Sequence, residues 1–250
     1  MVMQNALQGV DEMAWTKLKL ESLAADVPYA FVGGPFGSKL TSRDYVDAGI
    51  PVIRGSNLNN GRFLGMSDFV FVSEAKVRDD LSSNLATVGD LIFTQRGTLG
   101  QVAIIPQDGI ADHYVVSQSQ MKLTVDESKV DRGFLYYFFT SKETVNRILN
   151  CVSSSGVPHI NLTVLRNFEI PVPPLAWQRS IASILSAYDD MIENNRRRIQ
   201  LLEESARLLY KEWFVCFRFP GHEHVKIVDG VPEGWERKQV KALLARVKRP

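Results

Sequence analysis

From Leu175 to Arg218 the chain contains no glycine and no proline, the two residues that most readily end a helix. The apolar positions Ile181, Leu185, Tyr188, Ile192, Ile199, Leu202, Leu209 and Trp213 follow one alternating four-and-three spacing, with Asn195 and Ala206 filling the two missing steps. A repeat of roughly 3.5 residues held over this length keeps a narrow seam on one side, so the segment reads as a coiled-coil helix rather than a core helix. At about 1.5 Å per residue it is a rod of roughly 60 Å, longer than a small domain is wide, and it requires a partner helix. Asn195 inside the seam is suited to setting register or orientation at some cost in stability. The alternative is one helix lying along its own domain.

What precedes the rod has a different texture. Short β-branched or aromatic runs at Pro51 to Arg54, Phe69 to Val72, Leu91 to Thr94, Gln101 to Ile105 and Val115 to Val125 are separated by Gly, Asn, Asp and Pro, which predicts a mixed sheet. Between Arg132 and Cys151 apolar residues recur at helical intervals, predicting one packed helix. A loop follows through SSSGVPHIN, then a short extended run over Val164 to Val172. Pro171, Pro173 and Pro174 lack backbone donors and stop that run, placing a domain boundary near Pro174. The fold class is α+β: a mixed α/β domain over 1–174, a long coiled-coil-forming helix over 175–218, and a linker with a further incomplete unit over 219–250.

Composition narrows the class further. With 250 residues, 45% apolar and 23% charged, the chain is long enough to bury a real core and is not disordered. Its formal net charge of +1 argues against wholesale polyanion binding. The balance is uneven, though: 15 basic and 18 acidic residues up to Pro174, then 14 basic and 10 acidic. No apolar run has the length of a membrane span, and Met1 to Asp11 lacks the features of a signal peptide, so no membrane association and a cytoplasmic address are expected. Cys151 and Cys216 are isolated thiols without CxxC spacing, which fits a reducing compartment.

No catalytic constellation is visible. FVGGPFGSK (Phe31 to Lys39) lacks the GxxxxGK[ST] spacing of a triphosphate cradle, RGTLG (Arg96 to Gly100) is not GxGxxG, and both read as turns. His222, His224 and Cys216 fit no common zinc pattern, so no metal site is expected. His113 and His159 are lone histidines. Polar, Gly-rich loops stand out instead: IRGSNLNNGR (Ile53 to Arg62), TQRGTLG (Thr94 to Gly100), SQSQ (Ser117 to Gln120) and GVPHIN (Gly156 to Asn161). Arg, Asn and Gln can bond bidentately to base edges, while Ser, Thr and backbone amides suit phosphates. Composition permits base reading without demanding it. A coiled-coil interaction protein whose lobe binds a peptide or protein remains open, and exposed aromatic residues in the lobe or salt-insensitive affinity would favour it. A stand-alone modifying enzyme is disfavoured by the missing cofactor loop, nucleophile pair and metal cluster.

An internal echo is also present. Trp15, Leu20 and Leu23 are matched by Trp235, Val240 and Leu243, each 220 residues later, with Lys17 and Lys19 mirrored by Arg237 and Lys238. Such a match suggests the start of a second copy of the first domain.

The run from Gly156 to Phe214, with IPVPPL-x-x-Q leading into a long helix carrying NRRRI and LLEE, resembles the end of a target-recognition domain and the following spacer helix in specificity subunits of type I restriction-modification enzymes. Phe36 to Phe63 and Gly89 to Ile105 are similar to that family's domain core. The resemblance covers about residues 15 to 218. It implies a non-catalytic reader of double-stranded DNA, built in the family from two target-recognition domains held apart by antiparallel spacer helices. This chain holds one such domain, one helix and a stub, so the resemblance implies a half subunit that dimerises along the Ile181 to Trp213 seam, or a truncated chain. It further implies methyltransferase subunits docked on the helix and a restriction/translocase subunit, with S-adenosylmethionine and ATP bound by those partners and no cofactor by this chain. The expected DNA-facing residues are Arg54, Ser56, Asn57, Gln95, Arg96, Thr98, Gln118, His159 and Asn161.

Overall fold

The computed structural model describes residues 15–58, 61–151 and 158–243. Asn59 and Asn60, the first part of the expected SSSGVPHIN loop, the N-terminal stretch up to Asp11, and the side chain of Leu243 in the internal echo lie outside the described residues.

In chain order the strands are β1 (Thr16–Lys19), β2 (Phe31–Gly33), β3 (Tyr45–Val46), β4 (Ile50–Ile53), β5 (Val70–Val72), β6 (Leu85–Thr87), β7 (Leu91–Thr94), β8 (Val102–Ile104), β9 (His113–Val116), β10 (Gln120–Leu123), β11 (Glu169–Val172), β12 (Ile227–Val228) and β13 (Val231–Pro232). The principal helices are α1 (Arg132–Thr140), α2 (Lys142–Asn150), α3 (Leu162–Arg166) and α4 (Leu175–Tyr210). Two larger sheets form the centre of the head: β3-β5-β4-β9-β6, mixed because β4 and β9 run parallel, and the antiparallel β2-β10-β7-β8. Every residue of β7 is buried, and side chains alternate across a strand. Leu91 and Phe93 therefore join Met121, Phe134, Phe139 and Phe168 in one core, while Ile92 joins Ile53, Ala103, Tyr114 and Val116 in a second core between the sheets. Phe93 and Phe139 meet edge to face at 5.0 Å.

Three sequence expectations are corrected by tertiary pairing. The run Val115 to Val125 is not one strand: β9 belongs to the five-stranded sheet and β10 to the four-stranded one, and Ser117–Ser119 form the turn between them, closed by Gln120 N donating to Ser117 O at 3.1 Å. The expected helix over Arg132 to Cys151 is two helices, broken at Ser141, whose extended backbone (ψ 140°) lets its hydroxyl accept from Thr144 N as the N-cap of α2. Val164 begins no strand either. It sits in α3, capped by Asn161, and only Glu169–Val172 is extended.

Strand β11 pairs antiparallel with β1, from Thr16 opposite Val172 to Lys19 opposite Glu169. Two prolines then end the strand and α4 starts at Leu175. Gln178 is buried there. Its Nε2 donates to Pro173 O at 2.7 Å and its Oε1 accepts from Asp131 N at 2.8 Å, tying the helix start to the turn before α1. Ala182 is buried and Ile181 packs on the head core.

The chain divides into two compact units between Asp189 and Asp190, so the first turns of α4 belong with the sheets. In the second unit α4 continues into a wider turn over Lys211–Val215. Trp235 meets Phe214 at 5.6 Å and stacks on Phe219 at 5.4 Å. β12 and β13 form a hairpin whose turn residues Asp229 and Gly230 both have positive φ, the geometry that matches strand twist in two-residue turns. The internal echo recurs in part. A helical turn at Val240–Leu243 lies at the same offset from Trp235 as Leu20–Leu23 from Trp15, yet residues 236–239 form no strand where 16–19 do. Thr16–Lys19 is held extended by β11, and no such strand pairs with 236–239 among the described residues. No helix among the described residues is long and apolar enough to cross a membrane.

Candidate nucleic-acid interface

The Ser117–Ser119 turn is the point where loops far apart in sequence meet. Ser119 O accepts from Gln95 N at 2.8 Å and from Arg96 N at 3.2 Å. Ser117 N donates to Ile53 O at 3.0 Å, bringing in the Arg54 loop. Gly34 N donates to Gln120 O at 2.9 Å, and a Cβ on Gly34 would lie 1.9 Å from Ser117 O, so only glycine permits this approach. On the far side Gly97 N donates to Pro158 O at 3.3 Å and Ile160 N to Gln95 O at 3.0 Å, with Arg96 and His159 bridged antiparallel. Residues 34–40, 54–57, 95–98, 117–119 and 158–161 thereby form one continuous edge. A shallow cleft of about 240 Å³ opens on it, lined by Tyr45, Arg54, Gly55 and the Ser117–Ser119 turn among others.

Each expected DNA-facing residue lies on this edge, but they are not equally available. Ser56, Arg96 and Thr98 are exposed. Arg54 is half-buried and donates through Nη2 to Asp68 O at 2.6 Å. Asn57 is 1% exposed: its Oδ1 accepts from Arg54 N at 2.9 Å and its Nδ2 donates to Ser67 O at 2.8 Å. Its amide is spent bracing the loop, which corrects its expected place in the DNA-facing set. Gln118 is exposed, yet its Nε2 donates to Gly37 O at 2.5 Å and Leu40 O at 3.1 Å. Asn161 is exposed with its Oδ1 committed to Val164 N at 2.8 Å, while Gln95 and His159 are half-buried.

Phe36, Lys39 and Arg43 were not among the expected residues, because the glycines of residues 31–39 signal a turn and nothing local marks which side chains in or just after it the fold leaves exposed. All three are exposed on the segment that Gln118 clamps or just beyond it. Lys39, Arg43 and Arg96 have no ion-pair partner among the described residues. The neighbouring Asp44 is committed elsewhere: the Thr41 backbone N–H, then the Thr41 hydroxyl and Lys76, hold its carboxyl below the usual carboxylate range. The edge is therefore locally positive although the head carries more acids than bases.

Along α4 the seam residues from Leu185 to Leu209 (Leu185, Tyr188, Ile192, Asn195, Ile199, Leu202, Leu209) are exposed in the single chain. Ile181 packs on the head, and Trp213 lies half-buried beside Phe214 at 6.5 Å. Ile184, Met191, Leu201 and Leu208 are exposed apolar residues outside the seam. Where α4 leaves the head, Tyr137 donates to Asp189 Oδ2 at 2.7 Å above a cleft of about 510 Å³ lined by Arg62, Arg132 and Arg179 among others. Burial, and then the Asp189 hydrogen bond, push the Tyr137 phenol up to about 12. Among the described residues no group of three or more His, Cys, Asp or Glu is arranged to hold a metal ion.

Comparison with known proteins agrees with this architecture. Residues 36–204 match the family described as the type I restriction modification DNA specificity domain. The chain is 28% identical over 206 residues to the type I restriction enzyme MjaIX specificity subunit of Methanocaldococcus jannaschii, covering 81% of this chain and 46% of that protein. It is 31% identical over 132 residues to the HindI specificity subunit of Haemophilus influenzae, covering 52% of this chain and 28% of the relative. The chain thus spans about half the length, or less, of these curated relatives. The fold is shared with the crystal structure of the type I restriction-modification system S subunit from M. genitalium, at a TM-score of 0.57 and 18% identity over 82% of this chain and 47% of that one. With a family match across both the loop edge and most of α4, the chain belongs to the type I restriction-modification DNA specificity family.

Proposed function

We propose that this chain is the non-catalytic, sequence-reading component of a type I restriction-modification assembly, recognising one half of a bipartite duplex target through the edge organised by Ser117–Ser119. The observation that carries the reading is that three polar loops meet at that turn and a fourth, 158–161, joins through Gln95–Gly97, within the stretch that matches a DNA specificity domain. Arg96 is exposed and without an ion-pair partner among the described residues, which suits bidentate contact with guanine O6 and N7 or with phosphate. Lys39 and Arg43 are suited to phosphates, which position the protein without specifying sequence.

In this proposal α4 does two jobs. Its seam pairs with the seam of a second copy, setting the distance between two half-sites. Ile184, Met191, Leu201 and Leu208 widen the apolar arc beyond what a two-stranded seam buries, leaving surface for methyltransferase subunits. A restriction/translocase subunit completes the assembly, and S-adenosylmethionine and ATP bind on the partner subunits rather than on this chain.

The test begins with a duplex selected by the protein from a randomised pool. Arg96→Ala is expected to lose about tenfold or more in affinity for the selected duplex while keeping its affinity for random duplex. An equal loss on both would demote Arg96 to a phosphate or structural residue. A wild-type chain that selects no sequence, alone or with its methyltransferase subunits, would overturn the DNA-reading role.

A further inference from the structure

Phe36 is the most exposed large apolar side chain among the described residues, at 83%. A single exposed phenyl ring is ordinary on a protein surface, so its setting decides what it means. Its loop is held from both sides. Gln118 Nε2 donates to Gly37 O and Leu40 O, Lys39 N donates to Phe36 O at 3.4 Å, and Gly34 is seated on the Ser117 carbonyl. The ring is therefore displayed on a clamped loop. Lys39 follows in the same loop, Arg43 lies just beyond it, and Arg96 stands on the loop joined through Ser119, all without ion-pair partners among the described residues, while Asp44 is paired with Lys76. Meanwhile much of the edge's amide capacity is turned inward, because Asn57, Gln118 and Asn161 each spend hydrogen bonds on the protein's own backbone. Discrimination at this edge then needs a contribution that hydrogen bonds from these amides do not supply.

We propose that Phe36 is a direct, uncharged, specificity-determining contact, its ring packing against the apolar edge of a base in the groove of the recognised duplex, a thymine methyl for instance, while the cations of the same edge hold phosphates. The inference rests on the DNA-reading role proposed above and names a residue outside the polar set expected from the sequence. A peptide ligand would also accept a phenyl ring. The unpartnered cations on the same edge favour a polyanion.

The experiment uses the full chain, the selected duplex and a random duplex of equal length, each titrated over a range of salt. Phe36→Ala is expected to lower affinity for the selected duplex about tenfold, the scale of losing one base contact, and to leave random-duplex affinity and the salt slope unchanged. Phe36→Trp is expected to restore affinity for the selected duplex. Thermal midpoints of both variants should equal that of the wild type, since the ring is exposed. Equal affinities for Phe36→Ala and wild type would overturn the inference, as would an equal loss on both duplexes. The DNA-reading role is judged separately, by the wild type's own preference for the selected duplex, and losing it would take this inference with it.

Discussion

Asn57 and Asn161 carry the same side chain on the same edge and do different work. Asn57 is buried with both ends of its amide satisfied by the chain between Arg54 and Ser67, whereas Asn161 is exposed and caps α3 through one oxygen. Removing a buried amide leaves its backbone partners unpaired, at about 1–3 kcal/mol. Asn57→Ala is therefore expected to lower unfolding stability by about 2 kcal/mol in urea titrations, while Ser56→Ala, next to it and exposed, stays within about 0.5 kcal/mol of wild type. If both cost the same, Asn57 is not the brace of its loop. Residue type alone marked both asparagines as capable of hydrogen bonding. Which groups they bond depends on burial, a property of the folded neighbourhood.

At the scale of elements, local periodicity located β4, β5, β7 and β8 to within a residue, and failed where one run served two sheets. Val115 to Leu123 carries no glycine or proline to mark a break at its polar SQSQ stretch, and the pairing of Val115 with Val52 and of Met121 with Phe93 assigns its two ends to different sheets. The prolines before Leu175 were legible as a stop, and Gln178 explains physically why a glutamine belongs at that point of the helix: it bonds Pro173 O and Asp131 N in a buried corner. The Tyr137–Asp189 contact between α1 and α4 was not legible, because 52 residues separate the pair. Its phenol stays protonated to about 12 in the fold but ionises near 10 when the chain unfolds. The stabilisation it provides is fully present below about pH 10 and is lost as pH rises towards 12. Tyr137→Phe should flatten the alkaline part of a stability-against-pH curve measured by thermal melts, and an unchanged curve would show that this phenol is not coupled to folding.

At the scale of the whole molecule, the exposed seam is the feature that a single chain leaves without a partner among the described residues. Leu202 is 67% exposed at its middle. Leu202→Asp places a carboxylate in any helix–helix seam built there, and a seam of this kind depends on apolar positions along its length. Light scattering is expected to report a wild-type dimer and a Leu202→Asp monomer, with the variant's binding to a single half-site duplex kept. An unchanged mass would remove the seam from the dimer.

The long helix, its starting point and the loops that carry polar side chains were readable along the chain, because each follows from periodicity or backbone-restricted residues, and the IPVPPL-x-x-Q run before that helix carried the family resemblance. That those loops form one edge around Ser117–Ser119, that Asn57 faces inward and that Phe36 stands exposed on that edge emerges only in the folded chain. Those outcomes depend on hydrogen bonds between segments tens of residues apart, such as Gln118 to Gly37 and Gln95 to Ser119, and no local pattern encodes which carbonyl a distant donor will meet.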